Sequence, residues 1–296
     1  MRFLVACALF AAGLAATPAR ACATCACGDP TLTSMGVEQP YRGRLRFSAQ
    51  LRAYTLGLGA VGQGASQVRE VRLDLNAAYA PVEWLFLNLQ VPLQAREVRN
   101  ENLSREAALG LGEIEITGRV FGWKDRSFAP RHLVSMLGGL KLPTSFVQVD
   151  RAGAPLSIDG QLGTGSLDPI AGLAYAGFYS TTWSFFASAT GYFPTHGRFG
   201  FRGGNALRTA VGTQFQPIRQ LAFRLAIDGR LEAPNRLFGV DDGISGGFLG
   251  FLSPDILWSP RMDLLVIAGV RWPVMNFIQG NYRQSPIITL AVAWDR

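Results

Sequence analysis

Three cysteines crowd the stretch CATCACGDPTLT: Cys22, Cys25 and Cys27. Thiolates this close together can hold a soft metal ion such as Cu(I) or Zn, or Cys22 and Cys25 can close a disulfide in an oxidising compartment. No His follows Cys25, so the C-x-x-C-H attachment of a c-type haem is excluded, and no fourth zinc donor is adjacent. Metal site and disulfide both stay open. Farther along, Glu113 and Glu115 stand two residues apart, a spacing that places them on one face of a strand. Paired carboxylates can do acid/base work, but on a strand within a sheet they are expected to pair across strands with Arg119 or Arg72. A hydrolase would need a His beside a Ser and an orienting acid. The two histidines, His132 and His196, fall on different elements, and His196 in FPTHGRFG has no Ser nearby. No catalytic residue is expected, the chain is not read as an enzyme, and its work requires no cofactor.

The elements that must carry these residues begin with an export signal. Met1-Arg2 is followed by an apolar run to Ala16 and by TPARAC, the layout of a secretory signal covering 1–21 with Cys22 as the first mature residue. The apolar run is about 14 residues, too short for a span of about 20. Lipid attachment at Cys22 would favour a Leu-like residue three positions earlier, where this chain has Ala19. Beyond the signal no apolar stretch approaches helix-spanning length, which excludes a helical membrane protein. Yet 48% of residues are hydrophobic, only 17% are charged and there are 34 Gly. Mean hydropathy is +0.16. That is too apolar for an ordinary secreted enzyme and fits a β-barrel with a dry exterior. The net charge of +7 does not point to nucleic acid, because the Arg residues are spread along the chain behind a signal peptide.

Period-2 alternation supplies the strands. Over 44–54, Leu45, Phe47, Ala49, Leu51 and Ala53 oppose Arg44, Arg46, Ser48, Gln50, Arg52 and Tyr54. Over 71–79 the apolar set opposes Arg72, Asp74 and Asn76; over 85–94 it opposes Asn88, Gln90 and Gln94. Glu113, Glu115, Thr117 and Arg119 share a face against Ile114, Ile116 and Val120, while Arg208 and then Arg224, Asp228 and Arg230 oppose apolar sets at 206–215 and 221–231. Weaker strands are expected at 132–142, 168–178 and 183–193, and further ones at 248–258, 263–272 and 284–294. The expectation is an all-β fold: a transmembrane antiparallel barrel of about 12 strands over 44–296, with a Cys-containing periplasmic segment at 22–43. Short connections near Pro81, Tyr179, Pro217 and Pro260, with a somewhat longer one at 123–130, alternate with long ones at 57–67, 95–110, 143–166, 194–204, 232–247 and 273–283, as periplasmic turns and extracellular loops must. The six Trp, at 84, 123, 183, 258, 272 and 294, are expected near strand ends.

The wet faces then line the lumen with Arg44, Arg46, Arg52, Arg72, Arg119, Arg208, Arg224, Arg230 and Arg271 against Asp74, Glu113, Glu115, Asp228, Asp255 and Asp263. This predicts a weak anion preference; alternatively the charges cross-link the inner wall.

Within 85–192, ALGLGEIEITGRV, GGLKLPTS and QLGTGSLDPIAGLAY resemble the three motifs of the outer-membrane channel proteins of phenol-degradation (meta-pathway) and related transport operons, which are similar in style to long-chain hydrocarbon transporters. Glu113 and Ser145 stand where that family tends to have Asp and Gly. The resemblance implies an outer-membrane channel for small, hydrophobic solutes. Together with the charged lumen it leads us to expect passive passage of small hydrophobic or anionic solutes through a barrel set in outer-membrane lipid by the insertion machinery. The alternative expectation is an occluded barrel that binds metal or docks a partner through Cys22, Cys25 and Cys27.

Overall fold

The computed structural model describes residues 40–59, 64–126, 130–243 and 245–296. The predicted signal segment and Cys22, Cys25 and Cys27 lie outside the described residues. The strands in chain order are β1 Leu45–Leu58, β2 Ser66–Val82, β3 Leu85–Asn100, β4 Arg105–Leu111, β5 Glu115–Lys124, β6 His132–Lys141, β7 Asp168–Phe178 and β8 Trp183–Tyr192. They continue with β9 Phe201–Arg202, β10 Ala206–Ile218, β11 Leu221–Glu232, β12 Arg236–Leu237, β13 Val240–Asp241, β14 Gly247–Arg261, β15 Leu264–Ile278, β16 Arg283–Gln284 and β17 Ile287–Asp295.

Each wall strand pairs antiparallel with its chain neighbour, and β1 pairs with both β2 and β17, so the sheet closes on itself. β4 and β5 lie along the same partner, β3, as one wall strand interrupted at 112–114. β16 and β17 likewise share β1. The result is a barrel of twelve wall strands, as the alternation predicts. Closure satisfies the backbone groups an open sheet edge would leave to hydrocarbon. Leu45 and Arg296 exchange backbone hydrogen bonds at 2.8 Å across the seam. Among the described residues no helix is long and apolar enough to cross a membrane.

Alternation decides which side chains go inside. In β1 buried and more exposed side chains strictly alternate, with Arg46, Ser48, Gln50 and Arg52 inward and Phe47 and Leu51 outward. Leu75, Leu87, Leu89, Leu225, Ile227 and Leu290 are exposed on the outer face, a dry surface that a bilayer would cover and water would not. Trp84, Trp123, Trp183, Trp258 and Trp294 gather at the end of the barrel with the short turns. There Trp294 stacks on Phe47 and Trp183 tilts against Phe215. Trp272 departs from expectation: it lies within β15, on the outer wall toward the loop end. At the turn end Asp125 accepts the backbone N–H groups of His132 and Arg131 (3.0 and 2.8 Å), which hold its carboxyl below the ordinary range.

The loop end corrects several expectations. The segment 95–110 is no long loop, because β3 and β4 continue as a hairpin turned at 101–104. Charged residues there still alternate in and out, so the ladder persists above the apolar belt. The segments 194–204 and 232–247 are tied together by a small sheet of β9, β12 and β13. Asp263 sits in the β14–β15 turn and accepts a hydrogen bond from Trp294 Nε1 at 3.1 Å, so it does not face the lumen.

Candidate functional site in the lumen

The middle of the barrel is filled by its own polar side chains. Arg46, Arg52, Arg72, Asp74, Glu113, Glu115, Arg119, Asp228 and Arg230 are all buried on the inner face, and Arg208 and Arg224 are partly open to the lumen. Asp74 is 0% exposed. It accepts from Arg72 Nε at 2.7 Å, from Gln90 Nε2 at 3.0 Å and from the Arg52 guanidinium. β1, β2 and β3 deliver these groups because Gln50, Asp74 and Pro92 share one rung. Across the lumen Arg224 pairs with Asp255 at 2.7 Å and Arg271 with Asp228 at 2.9 Å, while Arg230 pairs with Glu232. Arg44 and Arg46 both hold Asp295 over the seam. The Arg excess read from the sequence is thus largely matched by carboxylates that cross-link the wall.

The ion-pair partner found for Glu113 is Lys141 and not the expected Arg119 or Arg72, and Lys141 also reaches Asp168 at 2.6 Å. The reason lies in the break at 112–114: Gly112 still donates to Pro92 O of β3 at 2.9 Å, and just beyond it Glu113 turns toward the segment 142–167 that follows β6. Thr164 Oγ1 donates to Glu113 at 3.3 Å and the Gly165 N–H donates to the same carboxylate. Gly163 is required here: a Cβ would lie 2.6 Å from Glu113 Cγ and 2.5 Å from Ser145 Oγ. Gly165 has φ +69°, which favours glycine. Thr144 Oγ1 closes the corner by accepting from Ile114 N at 2.9 Å and donating to Gly112 O at 3.1 Å. Glu115, two residues along, stays on the wall facing Arg72.

The three motifs that carry the sequence resemblance therefore converge in space. Gly112 and Glu113 come from the first, Lys141 and Thr144 from the second, and Gly163, Thr164, Gly165 and Asp168 from the third. Residue-type reasoning missed Lys141 and Asp168; the motif spacing was the signal that could have found them.

Segment 142–167 dips into the barrel from this anchor and narrows it. Arg96 bonds Glu70 on the wall and donates to the carbonyls of Gln161 (2.5 Å) and Asp159 (3.3 Å). With the Gln94 amide oriented to satisfy both its ends, its nitrogen donates to Leu162 O and its oxygen accepts from Arg72 Nη1, each at 3.0 Å. Arg96→Gln removes the latch and leaves Glu70 buried, so it is expected to cost about 2 kcal/mol. Roughly thirtyfold more of the released segment should be open, which faster tryptic cleavage at the exposed Arg151 turn would report; an unchanged cleavage rate would show that the latch carries no weight.

Three environments succeed one another along the lumen. At the loop end Tyr54, Leu56, Leu58, Val68, Val98, Leu249, Phe251, Tyr282 and Ile287 form an apolar inner lining. Below it is the waist, a cavity of about 80 Å³ among Arg72, Glu113, Lys141, Asp168, Tyr192 and Arg208. Arg208 lies over the Tyr192 ring, 4.1 Å from its centroid. At the turn end a cavity of about 240 Å³ is lined by Arg44, Arg46, Arg219, Arg224, three Gln and Asp295. His132 is far from any such site, bonding Tyr175 through Nδ1 at 2.7 Å on the outer wall.

No family model and no curated protein matches the chain. Among solved structures it is similar to the COG4313 outer membrane channel from Pseudomonas putida F1, with TM-score 0.69 at 11% identity over 88% of this chain and 98% of that one. The chain shares that barrel fold. More distant are the translocator domain of the autotransporter NalP from Neisseria meningitidis (0.49, 11% identity, 88% and 91% covered) and the CymD monoaromatic hydrocarbon channel (0.48, 9%, 91% and 93%).

Proposed function

We propose that the chain is a passive channel of the bacterial outer membrane, with its short turns and N-terminal side in the periplasm and its long connections outside. The observation that carries this reading is a closed wall, dry outside and charged inside, narrowed by a segment its own residues hold in place. The sequence of environments suits a small solute with an apolar body and a polar or anionic end. Such a solute would desolvate its apolar part against the Phe251 and Leu249 lining, then pass ion pairs that can exchange partners with it, and leave through the Arg-rich mouth. Arg46, Arg52, Arg72, Asp74, Glu113, Glu115, Arg119, Arg208, Arg224, Asp228 and Arg230 are the proposed pore-lining set.

Because most of the Arg are paired, the anion preference should be weak and set mainly at the turn-end mouth. Single-channel recording from the refolded chain in a planar bilayer is expected to show discrete steps whose reversal potential shifts modestly toward anions. A correctly folded barrel without conductance, or a clear cation preference, would overturn the reading.

A further inference from the structure

The outer wall carries a second feature, at the loop end of β1–β4. Strand register lets the outward side chains be read as rows. Five successive rows are dry, running from Leu45, Tyr79 and Leu87 up to Ile288, Ala53, Val71, Ala95 and Leu109. Eight residues at about 3.4 Å, tilted by about 40°, rise roughly 21 Å, so these rows use up most of an apolar band about 25 Å tall. The next row is Thr55, Arg69, Glu97 and Ala107, and the one above it is Arg283, Gly57, Gln67, Arg99 and Arg105.

Arg99 and Arg105 are exposed by 47% and 63%, and Arg69 is exposed as well. Glu97 accepts from Arg99 and forms an ion pair with Arg105 at 3.0 Å. One carboxylate cannot use the donors of two guanidinium groups, each of which has five N–H, so the cluster keeps outward donors and a net positive charge. Directly beneath it the wall is hollowed into a groove of about 610 Å³ by small or slender outward residues, Ala53, Val71, Ala95, Ala107, Pro286 and Ile288. Above the cluster, Glu101 accepts the backbone N–H groups of Gly64 and Ala65.

We propose that this face binds a phosphate-bearing glycolipid of the outer leaflet, lipid A, its phosphates on Arg69, Arg99 and Arg105 and an acyl chain in the groove below. The orientation rests on the channel reading above, which puts the loop end outside. Cations just above a dry band match an anionic head group joined to acyl chains, and match neither a zwitterionic lipid nor a soluble anion, which would have no use for the groove.

Diphosphoryl lipid A titrated into the detergent-solubilised full chain, followed by native mass spectrometry, is expected to bind in preference to phosphatidylcholine. Affinity should fall roughly fivefold for each change in the series Arg69→Gln, Arg99→Gln, Arg105→Gln. Arg236→Gln, in the exposed loop pair with Asp241, should leave it unchanged. Equal binding by the triple variant, equal binding of phosphatidylcholine, or displacement by inorganic phosphate would each overturn the proposal. Planar-bilayer recording of the same preparations keeps the two readings apart: lipid selectivity with a silent wild type retires the channel and retains the lipid site, whereas conductance without lipid selectivity does the reverse.

Discussion

Lys141→Met is expected to cost the folded barrel about 3–5 kcal/mol, because removing one partner of a buried ion pair strands the other. Here two carboxylates are stranded: Glu113 and Asp168 are 7% and 3% exposed, and both look to the same ammonium group. The loss should also act on the channel, since Glu113 is what holds Thr164 and Gly165 and hence the narrowing segment. Urea unfolding from lipid vesicles would measure the first effect. Single-channel recording should show the second as larger, less steady conductance. Lys141→Met combined with Asp168→Asn should recover part of the stability, since one of the two stranded charges is gone. If the single variant unfolds like the wild type, the three-motif corner is not what anchors the segment.

Asp74→Ala is the second large effect. It leaves Arg52 and Arg72 facing each other without the carboxylate that both contact, at a position with no solvent access. We expect about 3 kcal/mol or more of destabilisation from the loss of the buried carboxylate that the two guanidinium groups share. In any channel that still assembles, the reversal potential should move toward anions, because the inner wall has lost a negative charge. Asp74→Asn keeps acceptors for Arg72 and Gln90 and should be milder in stability while shifting selectivity by a similar amount. A variant whose selectivity does not move would place the conducting path away from β1–β3.

These two residues differ in how far the sequence revealed them. Asp74 was legible: it stands between Leu73 and Leu75 in an alternating run, so a strand puts it on the wet face whatever its partners are. Lys141 was not, although it too lies on a strand. Its role depends on Glu113 and Asp168, which stand 28 and 27 positions away along the chain, and on a wall strand that breaks at 112–114. Nothing in local hydropathy announces that break. Glu113 and Glu115 show the limit: identical side chains on one face, one drawn into the segment after β6 and the other left on the wall.

The sequence by itself determined the class of fold, because a period of two in hydropathy admits one arrangement in a bilayer, with the dry set outward and the ends of the sheet joined. It also determined most of the inner set, for the same reason. Only the tertiary structure decided which charges meet. Pairing across a barrel depends on register and on closure, and those bring Arg44 and Arg46 to Asp295 from opposite ends of the barrel chain. The course of segment 142–167 was likewise decided in three dimensions: its polarity suits solvent as well as a charged lumen, and contacts with Glu113, Gln94 and Arg96 on distant strands choose between them.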